Sequence, residues 1–355
     1  MTAPTYDMCR AQKIEREMKK RATTRSEESS SEKRVRTRWF EVDMRMHGEH
    51  RERVRKGLKS SEGFYVVHGG SETSLYDTDT TMNVFQQESN FQYLFGVREP
   101  DCFGAVHLKS GKSFLFVPKL PESYQVWMGP LKSKEWFRKR YRVDRVEYVE
   151  NMFSTLVEEN EQKDFSIHAL RGINTDSGLK VQEFKDTKVF QEQFSKVKVN
   201  YETLYDVVVE SRLIKSRHEI DLMRFVSDVS SDAHMIVMRN CEPGMREFQL
   251  ESLFKHHCYF AAGCRHVAYT CICASGINGA VLHYGHAAAP NTRKITSEDM
   301  CLFDMGAEYH RYASDITCSF PASGKFSEDQ RNVYVWGFVC SRVFLFEGLF
   351  FEGED

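Results

Sequence analysis

The 355 residues contain no run of 18 consecutive apolar side chains, which argues against a membrane-spanning helix. No apolar stretch of 7–15 residues opens the chain, so a secretory signal is not expected. Glycosylation sequons of the Asn-x-Ser/Thr type are absent, and the ten cysteines are scattered without the spacing of a disulfide scaffold. Together these absences predict a reducing, cytoplasmic setting, with a nuclear one as the alternative. Charge of one sign is lacking too: 49 Lys+Arg stand against 51 Asp+Glu, a net charge of −2. That removes the electrostatic case for nucleic acid or an anionic membrane as the main partner.

What is present is ordinary globular composition, 41% hydrophobic and 28% charged, at a length that predicts two domains. Charge is uneven: residues 1–60 hold 17 Lys/Arg against 10 Asp/Glu. Residues 10–38 are almost free of large apolar side chains and cannot bury enough to order themselves. Residues 1–39 therefore read as a disordered basic extension, with a nuclear-localisation reading of Lys19-Lys20-Arg21 and Lys33-Arg34 as the alternative. Residues 40–58 read as a helix. Strand patterns follow at Phe64–Val67, Phe85, Phe91–Val97, Gly104–Leu108 and Ser113–Val117, alternating with helical stretches at Glu135–Tyr141, Val149–Glu159 and Gln182–Lys196. This alternation is an α/β signature. A long helical stripe runs from Tyr201 to Asn240, and a second helix spans Glu247–Phe260. Beyond Gly263 strands return at Val267–Ala274, Met300–Met305 and Tyr312–Phe320. Cys271-Ile-Cys273 alternates as buried strand cysteines do, in preference to a metal pair.

The most informative stretch is Cys301–Phe320, where two apolar runs each carry one aspartate, Asp304 and Asp315. Paired as a hairpin centred between Tyr309 and His310, they face one another on one side of the sheet, with Cβ atoms about 4.5–5.5 Å apart. Two carboxylates so close in an apolar setting repel, so one stays protonated or a cation lies between them. Oxygen donors suit Mn²⁺ or Zn²⁺ better than thiolate-seeking metals. The bland alternative is that one aspartate merely caps a turn. Upstream, His283 and His286 place two imidazoles three residues apart, and Tyr269 precedes the cysteine strand. Each could serve a reacting group, although satisfied core or surface roles are commoner.

These residues resemble a known family. Phe85–Val97, Trp127-Met-Gly129, Arg171–Gly178, Tyr269–Cys273, Val281–His286, Leu302-Phe-Asp-Met-Gly306 and Ser314-Asp-Ile-Thr317 are similar to the Xaa-Pro dipeptidases, or prolidases, above all the eukaryotic ones. That group sits in the metallopeptidase superfamily with aminopeptidase P, methionine aminopeptidase and creatinase. The resemblance implies a creatinase-like N-terminal domain over 40–197 and an incomplete "pita-bread" catalytic domain over 198–333, an α/β (α+β) architecture. It implies two Mn²⁺ (or Zn²⁺) ions and a metal-bridging hydroxide that cleaves dipeptides with C-terminal proline or hydroxyproline. Asp304 and Asp315 match metal ligands, His283 a catalytic imidazole near the substrate, Tyr269 a nearby tyrosine, and Trp127 a position approaching a partner subunit's site. A homodimer, or a heterodimer with a full-length subunit, is implied.

Three further family ligands, a His and two Glu, have no counterpart before or within the divergent Phe-rich tail 334–355. The expectation is therefore little or no Gly-Pro hydrolysis by this chain alone. Alternatives are an aminopeptidase P-like activity on longer X-Pro peptides and a non-catalytic dimerising module. The stretch Phe344–Phe351 reads as an uncovered alternating strand and an aggregation hazard.

Overall fold

The computed structural model describes residues 38–347, apart from 77, 82–83, 162–163, 174, 176–177, 181–182 and 286–290. Almost all of the basic extension assigned to 1–39 lies outside the described residues, as do His286 and part of the Arg171–Gly178 motif. The described residues from Trp39 onward belong to one compact unit.

Helix α1 (Arg45–Gly57) precedes strand β1 (Phe64–His68), helix α2 (Ser89–Phe95) and strands β2 (Phe103–His107) and β3 (Ser113–Val117). Then come α3 (Gln125–Met128), α4 (Lys134–Tyr141), β4 (Arg145–Tyr148), α5 (Met152–Asn160), β5 (Ser166–Ala169) and β6 (Lys198–Asn200). The strands form one mixed sheet in the order β4-β3-β2-β1-β5-β6, antiparallel at its centre and parallel at both flanks. Alternation along β1 decides the two cores. Tyr65 and Val67 pack with Val54 of α1 and Phe91 and Leu94 of α2, while Phe64 and Val66 pack with Met152 and Leu156 of α5.

The run Phe91–Val97, expected as a strand, is helical as far as Phe95. The Glu88 carboxylate accepts a hydrogen bond from the Phe91 N–H at 2.7 Å, and Gly96 ends the helix at a left-handed φ of 67°. An apolar run buried on every side looks the same in either conformation, so the caps decide. Phe85 likewise lies outside any strand. The helix expected over Gln182–Lys196 is, among the described residues, a 3₁₀ turn at Phe184–Asp186 followed by a short helical segment that includes the π-helix Phe190–Phe194.

α1 also buries His47 completely, its ring against the Tyr93 carbonyl at 2.9 Å. Burial pushes its pKa down to about 3. The unfolded chain therefore binds a proton below about pH 6.5 that the folded chain refuses. Stability should fall with falling pH from about 6.5 towards 3, by up to about 1.4 kcal/mol per pH unit for this group. Urea titrations between pH 7 and pH 5 should show the fall, and His47→Gln should flatten it. An unchanged slope in the variant would rule His47 out.

The stripe from Tyr201 divides into α6 (Leu204–Leu213) and α7 (Arg217–Asn240), because Ser216 and Glu219 form a capping box at the start of α7. Helix α8 (Glu247–Ala262) follows, then β7 (His266–Val267), β8 (Ile272–Ser275), β9 (Met300–Asp304), β10 (Ala307–Tyr309), β11 (Tyr312–Ala313), β12 (Thr317–Pro321) and α9 (Glu328–Glu347). Two three-stranded sheets result, β12-β9-β8 and β11-β10-β7. Leu222, Val226 and Val229 of α7 pack with Leu250 and Phe254 of α8 against Phe303, Met305 and Ala307. The tail expected as an alternating strand continues the α9 helix through Glu347, and residues 348–355 lie outside the described residues. No helix among the described residues is long and apolar enough to cross a membrane.

Candidate metal centre

β9 ends on Asp304, and the chain returns through β10 and β11 to β12. Glu308 pairs with Ala313, Tyr309 with Tyr312 and Asp304 with Thr317. The turn is His310-Arg311, with φ of 51° and 67°. Left-handed values at both central residues are what a two-residue hairpin demands, normally met by Asn-Gly. The centre expected between Tyr309 and His310 is therefore displaced by one residue, because nothing in His-Arg marks a turn. Asp304 and Asp315 are diagonal neighbours rather than opposite ones. A displaced centre of this kind moves the pairing by two, so both aspartates remain on the same face.

The two carboxylates meet at Tyr269. Its hydroxyl makes a close hydrogen bond to Asp304 Oδ1 and reaches Asp315 Oδ1 at 3.0 Å. Burial, together with these two acceptors, raises the phenol well above its ordinary range, so it keeps its proton. α7 braces the hairpin from behind. His234 Nε2 lies 3.0 Å from the Met305 carbonyl, beside Asp304, and burial lowers its pKa so that the ring is neutral and donates. Ser230 Oγ is 2.7 Å from Ser314 Oγ, beside Asp315, and accepts from the Ala307 N–H at 3.0 Å. Between the aspartates, Gly306 packs against the opposite strand so tightly that a Cβ there would lie 1.7 Å from the Ser314 carbonyl oxygen.

A second network holds the segment that carries His283. Glu247, at the start of α8, is 0% exposed. Its carboxylate accepts from Ser275 N–H at 2.8 Å, Ser275 Oγ at 2.6 Å, Asn278 Nδ2 at 3.2 Å, Tyr284 Oη at 2.5 Å and Arg293 N–H at 3.2 Å. Burial, with this acceptor, pushes the Tyr284 phenol up to about 12. Tyr284 is thus fixed, and the neighbouring His283 stands exposed on the adjoining turn. Trp127 sits on α3 at 80% exposure, and no hydrogen bond or ring contact among the described residues ties it to the carboxylate pair. Cys271 and Cys273 are fully buried free thiols, with Cys273 Sγ 3.4 Å from Met305 Sδ, which fits the packing reading.

Asp304, Asp315 and Tyr269 offer hard oxygen donors at one place, a set suited to a divalent cation. The set is partial: no group of three or more His, Cys, Asp or Glu able to hold a metal occurs among the described residues. Sequence reasoning found the aspartates and the tyrosine but missed Glu247, Gly306, Ser230 and His234. The partners of Glu247, His234 and Ser230 lie 28–84 residues away, and only Gly306, between two strand-like runs and 8 residues from Ser314, carried any local signal.

Residues 221–336 match metallopeptidase family M24, and residues 47–168 match the aminopeptidase P N-terminal domain. Over 284 residues the chain is 50% identical to the Xaa-Pro dipeptidase of Homo sapiens and 48% identical to that of Mus musculus. These alignments cover 80% of this chain and 56% of each relative, so the chain spans about half the length of the curated relatives it matches. In fold it is similar to proline aminopeptidase P II from Yersinia pestis, with a TM-score of 0.67 and 25% identity over 82% of this chain and 66% of that one.

Proposed function

We propose, from the premise that the chain belongs to metallopeptidase family M24, that it contributes the paired-aspartate half of a metal-dependent hydrolase site for dipeptides with C-terminal proline or hydroxyproline. The observation that carries this reading is the convergence of Asp304 and Asp315 on one Tyr269 hydroxyl. The two aspartates would hold Mn²⁺, with Zn²⁺ as the alternative. Such ions supply Lewis acidity towards a scissile carbonyl and lower the pKa of water.

The chain's own groups have separate tasks. Asp304 and Asp315 each present a carboxylate at the hairpin face, and Tyr269 remains a protonated donor between them. An X-Pro bond is a tertiary amide with no N–H to offer, so recognition falls on its carbonyl and on the substrate's termini. His283, exposed on the turn fixed by Tyr284 and Glu247, is suited to a terminal carboxylate or a developing oxyanion. Val126, Trp127 and Met128 form an exposed apolar knob that supports pairing with a second subunit, of this chain or of a longer one. A cytoplasmic setting belongs to the same reading. The likeness in fold to an aminopeptidase P favours, as a second reading, action on longer X-Pro peptides.

An assay of Gly-Pro against a longer X-Pro peptide, with Mn²⁺ present, separates the readings. This chain alone is expected to turn over little or no Gly-Pro, because its described donors fill only part of a metal's coordination shell. Activity should appear on Gly-Pro in preference to the longer peptide once a full-length subunit is co-expressed and the complex isolated. Rapid turnover by the chain alone would overturn the incomplete-site reading, and preference for the longer peptide would overturn the dipeptidase one.

A further inference from the structure

Where the His310-Arg311 turn meets the first half of the chain there is a cavity of about 600 Å³ that none of Asp304, Asp315 or Tyr269 lines. Four arginines reach it from four places: Arg98 after α2, Arg140 from α4, Arg265 before β7 and Arg311 from the hairpin turn. We infer that this crevice binds a compact, multiply charged anion of the phosphate-ester or polycarboxylate kind, held chiefly by Arg98, Arg140 and Arg311.

Among the described residues, the carboxylates in the same wall pair with only one of these four guanidinium groups, that of Arg311. Glu308 already accepts from Gln86 Nε2 at 2.9 and 3.0 Å and from Arg311 Nη1 at 2.9 Å. Glu99 accepts from the Tyr141 hydroxyl at 2.5 Å, and Glu72 lies out in solvent. By contrast, the guanidinium groups of Arg98 and Arg140 have no hydrogen bond or ion pair among the described residues. Two inner donors are also left over. Arg311 Nε and Gln92 Nε2 are buried without an acceptor, and the Gln92 residue is only 2% exposed. Neither atom is open to solvent, so the groups that an anion in the cavity meets first are the exposed side chains of Arg98 and Arg140.

The chemistry of the wall selects the ligand class. Guanidinium forks match phosphate and carboxylate oxygens two at a time. The volume exceeds what one inorganic phosphate needs and falls in the range of small-molecule sites. His310 faces the same space; burial, then the positive charges of Arg98 and Arg140, hold its pKa down to about 4, so it is a neutral imidazole. An anion seated between the arginines would remove part of that repulsion.

The test is isothermal titration of the full chain with pyrophosphate and with citrate, each at matched ionic strength. One saturable site is expected for at least one of them, and the ligand that binds distinguishes a phosphate from a carboxylate source. Affinity should fall at least tenfold in the Arg98→Gln/Arg140→Gln variant. Arg138→Gln, on the same helix but paired with Glu135, should leave it unchanged. In the wild type, ligand should also raise the pH at which the His310 imidazole titrates by NMR. Binding that is equal in the double variant and the wild type, or heat that follows ionic strength whatever the anion, would overturn the inference.

Discussion

Replacing Gly306 by alanine is expected to cost on the order of 3 kcal/mol, the upper part of the range for overpacking. The added Cβ would lie 1.7 Å from the Ser314 carbonyl oxygen and 3.3 Å from Ala268 Cβ. The first of these is backbone, so no rotamer change relieves it. Either the β9–β12 hairpin opens or the Ser314–Asp315 peptide rotates. Both responses move Asp315, whose position depends on the Ser314 hydroxyl bonded to Ser230. Thermal unfolding should report a fall in Tm of about 6–12 °C. A variant within 2 °C of the wild type would mean that the hairpin is looser than described.

Removing the Glu247 carboxylate should be comparably damaging. Glu247→Ala deprives five donors of their acceptor in one step, among them the buried N–H of Ser275. Buried donors left without partners cost about 1–3 kcal/mol each, although hydroxyl and amide side chains can turn away. The net loss is expected to be about 3–5 kcal/mol, as for other buried charged networks broken by removing one member. Glu247→Gln should recover only part, since its amide end turns donors towards donors. The effect should also be local. Hydrogen exchange is expected to accelerate across 275–285, the segment bearing His283, while β1–β3 of the large sheet exchange as before. Uniform acceleration over the whole chain would show instead that Glu247 supports global stability alone.

Much of this was legible in the sequence where the signal is local. Short apolar runs bounded by turn residues marked β1, β2, β3 and β9, and the placement of Asp304 and Asp315 on one face followed from strand periodicity. The errors have a common cause. Ser89–Phe95 is buried all round, so no polar side told helix from strand, and the deciding Glu88 cap was not recognised. The His310-Arg311 turn takes left-handed backbone without glycine or asparagine, a conformation stabilised by the hairpin and by the Glu308–Arg311 contact rather than by the residues' own preferences. Glu247 stands in the first turn of a helix, where an acidic residue is commonplace and marks no special role. Its role comes from Ser275, Tyr284 and Arg293, which only the fold brings to it.

If Asp304 and Asp315 form one divalent-cation site, as proposed, electron paramagnetic resonance should detect Mn²⁺ bound there. Titrating the full chain should deplete the free-aquo Mn²⁺ signal saturably. Asp304→Asn and Asp315→Asn should each weaken binding at least tenfold, whereas Tyr269→Phe, which removes a donor and no carboxylate, should still bind. Mn²⁺ binding of equal strength in the wild type and both asparagine variants, or none in any of them, would contradict the account.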